Sequence, residues 1–248
     1  MTHMPATTYS IPTDVRNAIS ALYERFARYP LPPSSSYSTH TTITEADARA
    51  LRSRPLRDLT GRDLRKYSMK ALTTWGDENE FRHYLPRLFE LLAIEASWTD
   101  VSTLLGKLST GRWRSWPASE QRAVEEYLAA LSRPVIEGTM PFSLAVFALG
   151  TSNAEAPLAP LATAWRTTPG TSPVVQLASL VVLERDSLLR DGVVGRRWSE
   201  DARQELGALI RADDTRGRFE ETLLQIQDPG SIEDVSLALG VLETMPRI

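Results

Sequence analysis

An acid and a histidine lie one helical turn apart in the segment Glu80-Phe-Arg-His83, the pairing in this sequence with the clearest chemical potential. Di-iron sites in helical bundles use this spacing, but they need two such pairs and two further carboxylates on facing helices. The sequence has one pair, and its other histidines are His3 and His40. We therefore expect no metal site and no cofactor, and we interpret Glu80 and Asp77 as acids that stabilise a helix N-terminus.

The same polar cluster, Asp77, Glu80 and His83, supports an alternative hypothesis of an enzyme. Carboxylates and a histidine can act as general acids and bases, and such pairs are recognised by geometry rather than by sequence spacing. The alternative is a hydrolase or transferase with a site between helical layers near Glu80, His83 and Trp113. The sequence has none of the usual motifs for phosphate loops, dinucleotide binding, zinc proteases or serine hydrolases.

Aromatic and basic residues alternate in Trp113-Arg114-Ser-Trp116. Tryptophan and arginine are enriched in binding hot spots, and a guanidinium can stack on an indole. Two interpretations stay open for this segment. Either Trp113, Arg114 and Trp116 form a partner-binding surface with at least one exposed indole, or the tryptophans pack between helical layers.

The elements that position these residues are predicted to be helices. Thr44-Glu-Ala-Asp47, Thr60-Gly-Arg-Asp63 and Ser231-Ile-Glu-Asp234 each place a hydroxyl three residues before an acid, the pattern of a helix start. Apolar residues recur at helical spacing after such starts, and convincing strands are missing. The sequence predicts an all-α fold of about ten to twelve helices, arranged in antiparallel pairs in a layered or solenoid-like stack.

We expect one helical domain over residues 1–248, with a weak subdivision near 132–139. Pro134 and Gly138 interrupt the helical pattern there, but nothing resembles a long flexible linker. Pro30–Thr42 contains three prolines and a serine cluster. This composition predicts an exposed, mobile loop.

The composition is that of an ordinary globular protein, with 248 residues, 42% of them hydrophobic, and a net charge of −3. The absence of cysteine excludes disulfides, thiolate metal sites and cysteine nucleophiles. No basic leader and no apolar run of about 20 residues is present, so we expect a cytoplasmic protein without membrane spans. Bases alternate with acids along the chain, which makes nucleic acid an unfavoured partner.

The basic residues are 25 arginines and three lysines, Lys66, Lys70 and Lys107. We interpret this excess as the coding bias of a GC-rich bacterial genome. A selection of arginine for bidentate ion pairs would look the same.

The segment Arg54–Ala93 resembles a family of all-helical bacterial proteins with no assigned activity. The likeness continues through Leu105–Ala123 and weakens towards Leu158–Trp165 and Trp198. The resemblance implies a helical fold and supplies no site residue. Members of the family tend to have two cysteines in the loop that runs here from Ser34 to Thr41, and their absence from this chain argues against a metal or redox role for that loop.

These observations predict a non-enzymatic, cytoplasmic helical module that binds another protein. An adaptor and an immunity-type inhibitor of a toxin are two roles that such a module can fill. The prediction depends on the helical pattern, on the lack of catalytic motifs and on the tryptophan and arginine segment, and partly on analogy between folds.

Overall fold

A computed structural model describes residues 10–38, 42–195 and 197–246 of the chain. Over these residues the protein has thirteen α-helices, two short 3-10 helices and two isolated β-bridges, with no strand. The predicted all-α class is confirmed. The 3-10 helices are Leu56–Asp58 and Trp113–Ser115. The α-helices are α1 (Thr13–Phe26), α2 (Glu45–Arg52), α3 (Gly61–Lys70), α4 (Glu78–Ile94), α5 (Val101–Thr110), α6 (Ala118–Ile136), α7 (Leu144–Asn153), α8 (Ala159–Thr167), α9 (Ser172–Leu183), α10 (Arg185–Asp191), α11 (Glu200–Ile210), α12 (Asp213–Leu223) and α13 (Pro229–Thr244).

Local chemistry sets where several helices begin. Thr44 and Thr60 each accept from the backbone of an aspartate three residues on, and each aspartate bonds back to the threonine N–H, so both predicted capping boxes are present. The start predicted at Ser231 is wrong by one turn. Asp228 caps α13 and accepts from the Ser231 N–H at 2.8 Å, because Pro229 can occupy a first helical position that needs no N–H.

The chain divides into two units, residues 1–131 and 132–248. The boundary lies inside α6, which runs through Pro134 and ends before Gly138. Gly138 has a φ of +70°, a left-handed conformation that suits glycine at a helix end. The helix therefore continues across the proline that was expected to interrupt it.

In the first unit, α4 packs against α1 and α3. Phe81, Leu85 and Phe89 of α4 are fully buried. Tyr127 of α6 stacks on Phe89 with ring centres 4.7 Å apart, and its hydroxyl donates to the Phe89 carbonyl at 2.8 Å. This buried apolar side of α4 fixes the direction of the polar residues at its N-terminal end.

In the second unit, α9 packs against α7, α10, α12 and α13. Its buried residues include Val174, Leu177 and Val181, which accounts for the nearly continuous apolar sequence of this helix. Trp165 of α8 is also buried, and its indole N–H donates to the Pro173 carbonyl at 3.0 Å. None of the described helices combines the length and the apolar composition that crossing a bilayer requires.

Candidate functional site

Three of the residues singled out in the sequence, Asp77, Glu80 and His83, lie at the N-terminal end of α4. Asp77 is its N-cap, and the carboxylate accepts from the Glu80 N–H at 2.9 Å. Capping is therefore what the structure shows for Asp77. Beyond the cap, the side chains of Glu80 and His83 bond to different partners, and Arg82 lies over the rings of Tyr29 and Trp116.

Glu80 is a buried carboxylate, only 3% exposed. It accepts a hydrogen bond from the Ser35 hydroxyl, whose oxygen in turn accepts from the Trp75 indole N–H at 2.8 Å. The indole can only donate, so the serine proton is directed to Glu80. The result is a short chain of hydrogen bonds from Trp75 through Ser35 to the carboxylate.

Backbone contacts hold the loop that carries Ser35. The Gly76 N–H donates to the Ser36 carbonyl at 2.7 Å, and the Ser38 N–H donates to the Thr74 carbonyl at 2.9 Å. These hydrogen bonds attach residues 36 and 38 to the segment before α4, and the mobility expected for Pro30–Thr42 stays a prediction. Residues 39–41 of that loop lie outside the described residues.

Two tyrosines complete the surroundings of Glu80. The hydroxyls of Tyr67 and Tyr84 are buried without a hydrogen-bond partner among the described groups, and their rings lie 4.7 Å apart. Burial raises the pKa of Glu80, and the nearby Asp77 raises it further against the opposing effect of the Ser35 hydrogen bond. The low polarity of this side of α4 thus favours the protonated carboxyl.

Replacing Glu80 with glutamine is expected to reduce the pH dependence of stability. The pKa of Glu80 is higher in the folded than in the unfolded state, so between these two pKa values the folded protein binds more protons. The free energy of unfolding therefore falls as pH rises through this range. Glutamine keeps an oxygen for Ser35 and has no charge to desolvate. Urea unfolding from about pH 4 to pH 8 measures the slope, and a slope equal to that of the wild type would contradict the assignment.

His83 is held apart from Glu80. Its Nδ1 donates to the Tyr29 carbonyl at 2.9 Å, and its ring meets Tyr84 edge-on at 4.9 Å. Burial lowers the pKa of His83 below its ordinary value. At this residue the folded protein therefore binds fewer protons than the unfolded chain, so the free energy of unfolding rises with pH in that range. This effect is opposite in sign to that of Glu80. Comparing the glutamine variant with the wild type cancels the contribution of His83.

Among the described residues, no three of histidine, aspartate and glutamate converge in a way that could hold a metal ion.

Trp113 and Trp116 are both buried, at 0% and 2% exposure. The Trp116 N–H donates to the Gly111 carbonyl at 2.8 Å, and its ring packs against Phe26 at 5.7 Å. The expectation that one of these indoles is exposed is wrong, and the packing interpretation is correct. The Arg114 guanidinium covers the Trp113 ring at 3.9 Å and pairs with Glu125 at 2.6 Å.

An ion network that the sequence analysis missed lies next to Trp116. Arg82 lies over the Trp116 ring at 4.5 Å and approaches Glu78 at 3.5 Å and Glu120 at 3.9 Å. Glu120 is only 1% exposed and also binds Arg28. These residues belong to α4, to α6 and to the segment after α1, so no local spacing in the sequence joins them.

Three arginines at the edge of this network reach solvent. Arg28 is bound to Glu120, Arg112 donates through Nε to Glu78 at 3.0 Å, and Arg114 is held by its ion pair and by the indole beneath it. The Arg112 side chain is 76% exposed. We call Arg28, Arg112 and Arg114 the arginine surface.

In two cavities of the second unit, lining arginines form ion pairs with acids of the same chain. The cavity of about 490 Å³ next to α10 contains Arg190 and Arg203, which pair with Asp191 and Glu200. A cavity of about 420 Å³ beside α12 contains Arg216, which pairs with two glutamates. Arg211 also lines the second of these cavities, and its Nη1 donates to the Gly192 carbonyl at 2.8 Å.

No protein-family model, curated protein or solved structure matches the chain. The family resemblance of Arg54–Ala93 and Leu105–Ala123 stays a prediction.

Proposed function

We propose that the protein is a cytoplasmic, non-enzymatic helical module that binds an acidic surface of a partner protein through the arginine surface. The observation that carries this proposal is that Arg28, Arg112 and Arg114 reach solvent while each is anchored to a carboxylate of the same chain. An adaptor and an immunity-type inhibitor would both use such a surface. Arg114 is again proposed as a partner-binding residue, as it was from the sequence. Trp113 and Trp116 are buried and would support this surface by packing.

Contacts within the chain reduce the entropy that an arginine side chain loses when it binds a partner. A long side chain loses rotamer freedom when a partner immobilises it, and this loss is about 0.5–1.5 kcal/mol for each side chain. Arg112 is held by Glu78, and Arg114 lies on the Trp113 ring, so part of that ordering has occurred before binding. A guanidinium has five N–H donors, more than the contacts with one carboxylate use.

The alternative of a hydrolase or transferase near Glu80, His83 and Trp113 has less support. Trp113 is buried, Glu80 is bound by Ser35, and His83 donates to a backbone carbonyl. General acid–base catalysis needs groups within hydrogen-bond reach of one substrate atom. The hydrogen bonds of Glu80 and His83 instead join them to two different groups, the Ser35 hydroxyl and the Tyr29 carbonyl.

The test is a binding measurement with a partner first identified by affinity purification and mass spectrometry. We expect the double variant Arg112→Ala/Arg114→Ala to weaken a purified partner by about 2 kcal/mol or more, because anchored arginines are typical hot-spot residues. The affinity of the wild type should also fall as salt concentration rises.

Arg49→Ala and Arg133→Ala are matched controls, since both arginines are exposed and each pairs with a glutamate one turn away. Neither control should change the affinity. Thermal melts establish that the double variant is folded. A folded double variant that binds as tightly as the controls would overturn the proposal.

A further inference from the structure

A third cavity of the second unit, of about 310 Å³, is lined by the end of α8 and by the second half of α12. Its lining carries two guanidiniums, those of Arg166 and Arg218, and one carboxylate, that of Glu221. The volume is within the range of sites for small molecules. Apart from Pro169 and Gly170, every lining residue is polar or charged, so the cavity suits a small ligand that is polar throughout.

Arg218 is held in place by the chain itself and has no carboxylate partner. It donates to the Trp165 carbonyl and, at 2.9 Å, to the Thr168 carbonyl. Its guanidinium lies 4.1 Å from the centre of the buried Trp165 ring. In the described part of the chain, neither of the acids one turn away on α12, Asp214 and Glu221, forms an ion pair with it. Two of its five N–H donors are used, which leaves a fixed cation with free donors at the cavity.

A buried hydroxyl next to this cation has no partner. Thr168 lines the cavity and is 4% exposed, and its Oγ1 forms no hydrogen bond with any group that the structure describes. A buried hydroxyl that is left unpaired costs free energy, so its presence in a native fold requires an explanation. A polar ligand in the cavity supplies the missing partner.

The carboxylate and the second guanidinium belong to different helices. Glu221 is one turn beyond Arg218 on α12, and Gln225 donates to its Oε1 at 3.2 Å. Arg166 is an exposed residue in the last turn of α8, and it forms no ion pair with any described acid. A ligand in the cavity therefore meets Arg218 and Glu221 on the side of α12 and Arg166 on the side of α8.

The helix ends at this cavity are compatible with both signs of charge in one ligand. The α8 carbonyls of Trp165 and Thr168 accept from Arg218, so they are paired and do not repel an anion as free carbonyls would. Glu221 lies in the last turn of α12, where the helix dipole favours a positive charge. The cavity therefore offers guanidiniums to carboxylates and, at the end of α12, an acidic position to an ammonium group.

We propose that this cavity binds an acidic α-amino acid, with its α-carboxylate on Arg218, its α-ammonium on Glu221 and its side-chain carboxylate on Arg166. Two guanidiniums and one carboxylate complement two carboxylates and one ammonium. The two α-groups share one carbon atom, and Arg218 and Glu221 are neighbours on one face of α12. The Thr168 hydroxyl donates to the α-carboxylate. This inference is independent of the arginine surface, which belongs to the first unit.

Isothermal titration calorimetry on the full chain, with L-glutamate as the probe, tests the proposal. Three analogues each lack one charge: glutarate lacks the ammonium, γ-aminobutyrate lacks the α-carboxylate, and L-glutamine lacks the side-chain charge. Each analogue should bind about tenfold more weakly than L-glutamate, because each removes a charged hydrogen-bond partner. No binding of L-glutamate at millimolar concentration, or equal affinity for all four compounds, would overturn the proposal.

Two variants test the individual charge contacts. Glu221→Gln should abolish the preference for L-glutamate over glutarate, and Arg166→Gln should abolish the preference for L-glutamate over L-glutamine. Both residues are exposed, so we expect both variants to fold, and thermal melts check this. Arg133→Gln is the control, since it removes an exposed arginine that pairs with Glu137, and it should change neither preference. Unchanged preferences in the folded Glu221→Gln and Arg166→Gln variants would overturn the binding mode.

Thr168→Val tests the buried hydroxyl. Valine keeps the shape of the side chain and removes a hydroxyl that has no partner in the free protein, so the free energy of unfolding should not fall. The affinity for L-glutamate should fall, because the α-carboxylate loses a donor. A variant that binds L-glutamate as tightly as the wild type does would refute the role of Thr168.

Discussion

Replacing Trp113 with alanine is expected to lower the free energy of unfolding by about 3–5 kcal/mol. The indole is completely buried in the short 3-10 helix between α5 and α6, and Arg114 covers one face of it. Removing it deletes the apolar contacts of the ring and leaves a cavity that the surrounding helices can close only in part. Urea unfolding followed by circular dichroism measures the loss.

Arg114→Ala is the matched control for Trp113→Ala, because it removes a neighbouring side chain without opening the interior. Its ion pair with Glu125 lies at the surface, and such pairs contribute about 0–1 kcal/mol. We expect the control to unfold nearly as the wild type does. The core assignment would fail if Trp113→Ala were as stable as Arg114→Ala and its main effect were on partner binding.

The parts of the fold that the sequence predicts well depend on neighbouring residues. The threonine and aspartate at positions 44 and 47 bond to each other across one turn, so their spacing alone is enough to predict a helix start. The N-cap at Asp228 was not predicted, because Ser231, one turn later, begins a similar pattern of a hydroxyl three residues before an acid. Local signals predict that a helix exists more reliably than they predict its first residue.

The candidate site is harder to predict because its contacts span the chain. Glu120 binds Arg28 and approaches Arg82, residues that are 92 and 38 positions away in sequence. Nothing in the local pattern around any of them distinguishes a buried ion pair from a solvated one. The tryptophans raise the same difficulty, since an indole that anchors a partner and an indole that fills a core have the same sequence signature.

Replacing Arg82 with alanine is expected to destabilise the protein by about 3 kcal/mol, because removal of one partner leaves a buried charge poorly compensated. Arg82 is 13% exposed and approaches Glu120, which is 1% exposed. Its guanidinium also lies over the rings of Trp116 and Tyr29, at 4.5 Å and 5.2 Å from their centres. After the substitution, Glu120 keeps Arg28 and the Tyr29 hydroxyl as its partners.

A double-mutant cycle with Glu120→Leu distinguishes the ion pair from simple loss of packing. If the cost of Arg82→Ala comes from the carboxylate left behind, then the variant Arg82→Ala/Glu120→Leu should be more stable than the sum of the two single changes predicts. Arg28 loses its partner in that variant, but it is exposed and water can solvate it. Additive effects within about 0.5 kcal/mol would show that Arg82 and Glu120 act independently, and that the arginine stabilises this region through its contacts with the aromatic rings instead.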